Sequence, residues 1–524
     1  MSPSGASCGE RARRHLAVAG WIEQLGRPED AAEMLAHHYL AALEYARSTV
    51  VDDRVVARRA GRALGEAGAR AAALNSFEAA DRFTTAALDF VENGSPEWSR
   101  LVLQRVRVAQ HASMVSSRQF FETARAELEA AGYTETAAET GTLESWSAWV
   151  SGDLAAAGSA IEHANALLEA AAPSRAKAAV LSRYSRLLAM AGAGEEAVDM
   201  ADRAVSMATD LGLADLRAEA LNNRGMARMN VGDLRGFDDL EESIELARRA
   251  GSPIDVSRGL GNLASFLFGE GEVARASELH EAALAHAERY GMEGGILWQR
   301  AERVEFDYHA GRWDDSLARA RDWLAALEGG QRHFIESNVR CVRSQIYAAR
   351  GDLAAALAED EQQLELARTL DPQAADPSLA VSAFVRALAG DRTDAEERID
   401  ELLRRWRDHG LTPTFNPSDL AFATVLVGRV DAFLAAASEA RQTRWLGAAT
   451  AFARGEYADA ARRFDEIGSV PNAAYARLRG AEALVAAGHR AEADAELTKA
   501  VAFYRSVGAR LLLRTAEDLL AAAG

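Results

Sequence analysis

Side chains able to do chemistry are thinly scattered along this 524-residue chain. His280-Glu281 with His286 has the composition of a metalloprotease zinc helix. The spacing does not fit: one helix offers two imidazoles to a metal at i, i+4, whereas i, i+6 sets them about 240° apart. His37 and His38 are adjacent, project about 100° apart, and cannot chelate one ion from one helix. One packed ring and one exposed ring is the simpler reading. Cys8 and Cys341 are too few for a disulfide framework or a zinc site and read as free thiols of a reducing cytoplasm. The only lysines are Lys177 and Lys499, and neither follows a glycine, so a phosphate-binding loop of the Gly-x-x-x-x-Gly-Lys type is absent. No Gly-x-Ser-x-Gly elbow occurs. Gly269-Glu270-Gly271 continues to Ala274 and fails the dinucleotide fingerprint. These residues predict no catalytic site, no cofactor, no metal and no enzyme.

The charge balance narrows the partners. Lys plus Arg is 59 against 78 for Asp plus Glu, a net charge of −19. Such a chain repels a phosphate backbone, so no nucleic-acid partner is expected. No apolar window of ~18 residues exists to span a membrane. Met1–Arg14 lacks the apolar centre of a signal peptide. The chain therefore reads as cytoplasmic. With 49% hydrophobic and 26% charged residues it is globular in composition. About one residue in five is Ala, while Pro occurs only 10 times, which points to helices throughout.

Those helices must follow a repeat. Small turns recur at Gly152, Gly192, Gly232, Gly271, Gly311, Gly351 and Gly390, with spacings of 40, 40, 39, 40, 40 and 39. An Ala follows five residues on in the clearest copies, at Ala157, Ala276, Ala356, Ala460 and Ala493. Pro96, Pro173, Pro253 and Pro372 fall 21 residues after Asn75, Gly152, Gly232 and Gly351. Gly212, Gly291, Gly410 and Gly508 fall 20 residues after the turns at 192, 271, 390 and 488. Gly past a helix end and Pro beyond it are stop signals. Each unit thus reads helix, tight turn, helix, stop. Leu260, Leu263, Ala264 and Leu267 form an apolar stripe before Gly271, and Ala276, Leu279 and Ala283 form its partner after it. One hairpin cannot cover that face, so neighbours must stack.

Leu260, Leu263, Ala264, Leu267, Gly271, Ala276 and Ala283 resemble the tetratricopeptide-repeat pattern position by position. Leu221, Gly225 and Gly232 resemble it one unit earlier, and Gly455, Tyr457, Ala460 and Phe464 later. The resemblance runs from Val56 to the C-terminus and implies an all-α fold, a superhelical solenoid of antiparallel helix pairs. The period near 40 means helices longer than in the usual 34-residue unit. It predicts about eleven pairs over residues 51–524, behind a helical arm at 11–50 and a disordered stretch at 1–10. Residues 97–140 and 411–450 are degenerate and are read as further helix pairs. The terminal helix Leu511–Ala523, with Arg514, Glu517 and Asp518, is read as a polar cap.

The resemblance also implies a groove lined by the first helix of each unit. Family members that clamp peptides place an Asn at the position occupied here by Asn223 and Asn262, and by Arg183 one unit earlier. An Asn amide can bond both N–H and C=O of an extended chain. The register turns Trp298, Glu305, Tyr308 and Gln345 to the same face. The competing reading is that Asn223 and Asn262 only brace neighbouring helices, since most buried amides have local partners.

The segment Gly26-Arg27-Pro28-Glu29-Asp30, followed by Leu35-Ala36-His37-His38-Tyr39-Leu40, resembles the linker between ATPase core and repeat tail in bacterial proteins that join an adenylate-cyclase-like domain, a STAND-like ATPase and tetratricopeptide repeats. The cyclase's metal and base-recognition elements have no match. The resemblance implies a non-catalytic interaction scaffold or sensor arm in bacterial signal transduction. Its partner would be a protein or peptide, including a separately encoded ATPase. The alternative is a detached tail of a cyclase/ATPase or of a repeat-containing transcription regulator. Trp21, Ile22 and Leu25 on the arm offer an apolar surface for a homodimer or for that ATPase.

Overall fold

The computed structural model describes residues 7–25, 31–46, 53–111, 118–327, 333, 335–369 and 374–521. Gly26–Asp30, Pro372 and residues 1–6 lie outside them. The described residues form helices with no strand. In chain order these are α1 (Cys8–Gln24), α2 (Ala32–Ala46), α3 (Asp53–Ala73), α4 (Phe77–Leu88), α5 (Pro96–His111), α6 (Arg118–Ala130), α7 (Thr134–Val150), α8 (Leu154–Leu168) and α9 (Arg175–Met190). Then come α10 (Gly194–Asp210), α11 (Ala214–Asn230), α12 (Gly236–Ala250), α13 (Pro253–Glu270), α14 (Val273–Arg289), α15 (Glu293–His309), α16 (Trp313–Leu327), α17 (Glu336–Arg350) and α18 (Leu353–Thr369). The last are α19 (Ala375–Ala389), α20 (Arg392–His409), α21 (Ser418–Val427), α22 (Val430–Glu439), α23 (Arg444–Ala453), α24 (Tyr457–Ile467), α25 (Val470–Ala486), α26 (Arg490–Val507) and α27 (Arg510–Ala521). Helix α1 already begins at Cys8, capped by Ser7, whose Oγ accepts from the Glu10 N–H at 3.3 Å. The expected disorder over 1–10 therefore does not extend to residues 8–10.

The turns explain the period. Gly152, Gly192, Gly232, Gly271, Gly311, Gly351 and Gly390 all have φ between 76° and 87°. The next N–H returns to the carbonyl five residues back, as in Glu272→Leu267 at 2.9 Å and Arg312→Asp307 at 2.8 Å. This is the Schellman closure, and its left-handed residue favours Gly. Asn75 fills the same place with φ 56°, and Asn tolerates it best among the others. After each turn the repeated Ala is fully buried at the helix crossing, at Ala157, Ala276, Ala356, Ala460 and Ala493. In α13 the stripe Leu260, Leu263, Ala264 and Leu267 is buried as its spacing predicts.

The chain divides into two compact units, residues 1–149 with 153–180, and 150–152 with 181–524. In the first, α1 to α8 stack as successive hairpins. Tyr39, Leu35 and Ile22 pack with Leu64 and Leu101, and Trp98, Val106, Phe121 and Leu128 form a second cluster. Arg125 ties this unit internally, with Nε 2.7 Å from Glu144 and Nη1 2.8 Å from Glu129.

The second unit does something the period does not predict. Its array closes on itself: α23 packs on α13, α25 on α15 and α27 on α17. Trp445 donates its indole N–H to the Phe268 carbonyl at 2.6 Å. His309 Nδ1 meets Ser469 Oγ at 2.9 Å, and Arg350 Nε donates to the Val507 carbonyl at 3.1 Å. Arg444 pairs with Glu272 at 3.0 Å, and Arg441 pairs with Glu270. Gly269 shows why the approach is so close, because a Cβ there would lie 2.1 Å from the Pro413 carbonyl oxygen. Helix α21, in the stretch read as degenerate, has residues 418–424 and Val427 buried. Its apolar residues fall on every side, with Asp419 buried among them, because protein surrounds it. The terminal helix α27 keeps Arg514 and Asp518 exposed, but it also packs on α17.

Trp445 is fully buried and bonded at the seam of this closure. Replacing it by Ala is expected to destabilise the second unit by about 3–5 kcal/mol, the usual cost of deleting a buried Trp. Chemical denaturation followed by circular dichroism checks this; an effect below about 1 kcal/mol would show the seam to be loosely packed.

Candidate functional site

The first helix of each hairpin turns one stripe inward. Because the beat is 40, 39 and 40, the same helical position falls on Arg183, Asn223, Asn262 and Glu302. Neighbours one turn away complete the stripe: Arg186 in α9, Glu219 and Met226 in α11, Arg258 and Ser265 in α13, and Trp298 and Glu305 in α15. Arg183, Arg186, Glu219, Arg258, Asn262, Trp298, Glu302 and Glu305 remain partly accessible. Further along, Tyr308 and Gln345 are buried beneath the returning C-terminal helices.

The asparagines are engaged between helices. Asn223 Nδ2 donates to the carbonyl and the hydroxyl of Ser182 at 2.8 and 2.9 Å. Asn262 Nδ2 donates to Asn222 Oδ1 at 3.2 Å and approaches Met226 Sδ at 3.1 Å. Both amides therefore brace the preceding first helix, each with its N–H groups. Asn223 Oδ1, in a fully buried residue, has no hydrogen-bond partner. Asn222 escaped the sequence reading, since the family pattern does not mark its position.

Arginines paired with carboxylates gather at one end of the stripe, and carboxyls without a nearby guanidinium at the other. At one end Arg183 Nε lies 3.4 Å from Glu219, and Arg258 pairs with Asp255 at 3.0 Å. Burial works against ionisation of Glu219, but the guanidinium groups of Arg183, Arg258 and Arg186 outweigh it and hold its pKa below the usual range. Burial and then repulsion from Arg258 pull Arg186 down to about 9. At the other end burial, then Glu305, pushes Glu302 up to about 8. Asp419, on α21, accepts a 2.6 Å hydrogen bond from Gln345 Nε2. Burial raises its pKa to about 7, with Glu305 adding to the rise. Burial, reinforced by Asp419 and Glu305, also raises the Tyr308 hydroxyl well above its ordinary value. His309 Nε2 lies 3.9 Å from Glu305.

By the repeat register Arg183, Asn223 and Asn262 hold one helical position, Trp298 lies one turn before it and Glu305 and Gln345 one turn after it, while Tyr308, six residues past Glu302, falls to another side; Tyr308 and Gln345 are buried. Arg186, Arg258, Glu302 and Asp419 were missed. Glu302 was legible on the 40-residue beat itself, whereas Asp419 arrives from a remote helix with no repeat signal.

The histidines are placed elsewhere. His280 and His286 each bond a backbone carbonyl, Gln299 at 2.7 Å and Pro253 at 3.1 Å. His38 Nδ1 lies 2.9 Å from His15 Nδ1 on α1. Burial, then His15 and His37, lowers the His38 pKa. Among the described residues no group of His, Cys, Asp or Glu is arranged to hold a metal ion, and no helix is long and apolar enough to cross a membrane. Both cysteines are free, with Cys341 Sγ donating to Gln363 Oε1 at 3.0 Å.

The hairpins, their Schellman turns and the inward stripe define a helical-repeat solenoid of the tetratricopeptide-repeat type. No protein-family model and no curated protein matches the chain. Among solved structures it is similar to Scc4 in complex with Scc2n, with a TM-score of 0.51 and 10% identity over 96% of this chain and 100% of that one. It is similar to a Rap protein complexed with Competence and Sporulation Factor, with a TM-score of 0.50 and 14% identity over 68% of this chain and 98% of that one. At these identities the likeness is one of fold.

The carboxyls at the acidic end carry a pH signature. A carboxyl with a raised folded pKa binds its proton more tightly in the folded state, so its contribution favours folding at low pH and is lost as pH rises. Stability is expected to decline as pH climbs from the ordinary carboxylate range to about 8, where Glu302 titrates. The double substitution Glu302→Gln and Asp419→Asn should flatten that decline. Denaturation curves on either side of the window, wild type against variant, measure it; parallel pH profiles would refute the assignment.

Proposed function

We propose that this chain is a non-catalytic protein-interaction scaffold that holds an extended segment of a partner protein on the inner stripe from α9 to α15. The observation that carries this reading is the change of accessibility along one face. Arg183, Asn262, Trp298 and Glu305 keep solvent access, and the face then disappears at Gln345 beneath the chain's own helices. An extended partner thus meets a groove with a stop. Asn223 contributes by bracing α11 against α9. Two solved arrays of comparable fold, Scc4 and a Rap protein, were each captured in complex with a partner, which supports the class of function.

A role as a sensor arm in bacterial signal transduction rests on the linker-like phrase of the N-terminal arm. Its partner there would be a separately encoded ATPase or a second copy of this chain. Trp21 and Leu25 are 61% and 59% exposed and available for it, whereas Ile22 is 3% exposed and belongs to the core.

A random peptide-display library panned on the full chain tests the groove reading. Selected peptides are expected to lose roughly tenfold or more in affinity on Arg183→Glu and on Trp298→Ala, and to be unaffected by Arg248→Ala on the outer surface. Selected peptides indifferent to both inner substitutions would refute the groove.

A further inference from the structure

On the side of α15 that faces away from the stripe, one carboxylate is over-supplied with guanidinium groups. Arg303 and Asp307 lie about 100° and 140° round the helix from Glu302. The Asp307 side chain is 1% exposed. Arg303 Nε donates to its Oδ1 at 3.3 Å, and Arg312 donates to the same oxygen through Nε at 3.0 Å and Nη2 at 2.6 Å. Arg319 Nε, from α16, donates to Oδ2 at 2.8 Å. The Schellman turn sets Arg312 in place, since its own N–H closes onto the Asp307 carbonyl. Arg303 is also paired with Glu281. Three guanidinium groups therefore meet two carboxylates. Two comparable networks carry no such excess: Arg224 and Arg228 share Asp202 and Asp239, and Arg386 alone meets Asp360 and Asp394. On α16 Asp314 is engaged by Arg350 at 2.6 Å, and among the described residues no ion pair joins Asp315 to Arg319. Arg312 and Arg319 are 45% and 52% exposed, and Asp307 is the carboxylate both of them hold. Arg312 keeps Nη1 unbonded and Arg319 keeps both Nη groups unbonded. Because the two grip opposite oxygens of one carboxylate, their forks stand side by side in fixed planes.

We infer that Arg312 and Arg319 form a binding site for a single phosphoryl group, with Asp307 and Arg303 as its support. Guanidinium forks match the oxygens of a phosphate, and a phosphoryl group has three terminal oxygens to divide between two forks, whereas one fork already fills a carboxylate. The group brings about −1.5 to −2 charges at neutral pH to a cluster with a cation in excess. A polyanion such as a nucleic acid or an anionic membrane would also meet the acidic remainder of a chain of net charge −19, so the fitting ligand carries one phosphoryl group. Asp307 holds both arginines by Nε, so little side-chain entropy remains to be lost when the ligand arrives. The same chemistry comes from free phosphate or from a phosphorylated side chain of a partner protein. The site lies outside the groove and is independent of the groove reading.

Phosphorus NMR on the full chain at fixed ionic strength tests this. Line broadening is followed with inorganic phosphate and with a phosphoserine hexapeptide, each with and without equimolar acetate. Saturable broadening is expected, and acetate should leave it in place. Arg312→Gln and Arg319→Lys should each weaken binding roughly tenfold or more. Arg319→Lys keeps the charge and loses only the fork. Arg321→Gln, at an arginine of the same helix that is 73% exposed and paired with Asp322, should leave binding unchanged. Tighter binding of the phosphopeptide assigns a partner's phosphorylated side chain as the source, and tighter binding of inorganic phosphate assigns the free ion; either supports the site. Absence of saturable broadening overturns it. So does equal binding by wild type, Arg312→Gln and Arg319→Lys. An equal loss on Arg321→Gln would show a diffuse field in place of a site, and displacement by acetate would show a carboxylate site. Should Arg312→Gln fail to fold by circular dichroism, Arg319→Lys and the acetate competition decide.

Discussion

A first helix in this chain can end in a tight turn only if one residue takes a positive φ, and that local demand organises the whole array. Gly supplies the conformation without a side-chain penalty, so the turns fall where the glycines are, and the glycines fall every 39 or 40 residues. A constant spacing repeats the helical phase from one first helix to the next. Position 183 therefore shares its orientation with 223, 262 and 302. The continuous inward stripe is a consequence of that phase. A unit longer or shorter by two residues would rotate its first helix by about 200° relative to its neighbours, since each residue turns about 100°.

The same phase builds the closure of the second unit. Phe268 and Tyr308 occupy equivalent places in α13 and α15, near the turn end of each helix, and both are buried. The small residues beside them matter as much. Gly269 lets the 411–415 segment come within van der Waals reach, and the fully buried alanines of α23 and α25 continue the close approach. The closed part of the unit consequently behaves as a shared core, whereas the α9–α13 part keeps polar side chains that meet solvent. One array holds a packed interior and an accessible face because the size and polarity of the inward residues change along it.

Legibility in the sequence divides along the same line. Turns, helix pairs and the buried alanines depend on contacts within about 40 residues and show directly as a period. The inward placement of Arg183, Asn223 and Asn262 follows from that period. The return of the C-terminal helices does not. Its bonds join residues far apart in the chain, 177 positions between Trp445 and Phe268 and 160 between Ser469 and His309. No local pattern encodes such pairings; the trace they leave is an α21 with apolar residues on every side, which reads locally as a degenerate repeat. Helix α1 begins earlier than expected for a more modest reason, a Ser7 cap in a stretch whose small residues look unstructured.

The inner asparagines show why residue type alone does not assign a role. An amide has two donors and an acceptor with two lone pairs, and bracing and binding compete for them. In Asn223 both described bonds run from Nδ2 to Ser182, which locks α11 against α9 and leaves the oxygen unused. A buried acceptor left unmet costs on the order of 1–3 kcal/mol. At this residue both bonds brace, and complete burial closes the oxygen to a ligand lying in the groove. The bracing bonds fix the side chain's rotamer and, through it, the spacing of α9 and α11.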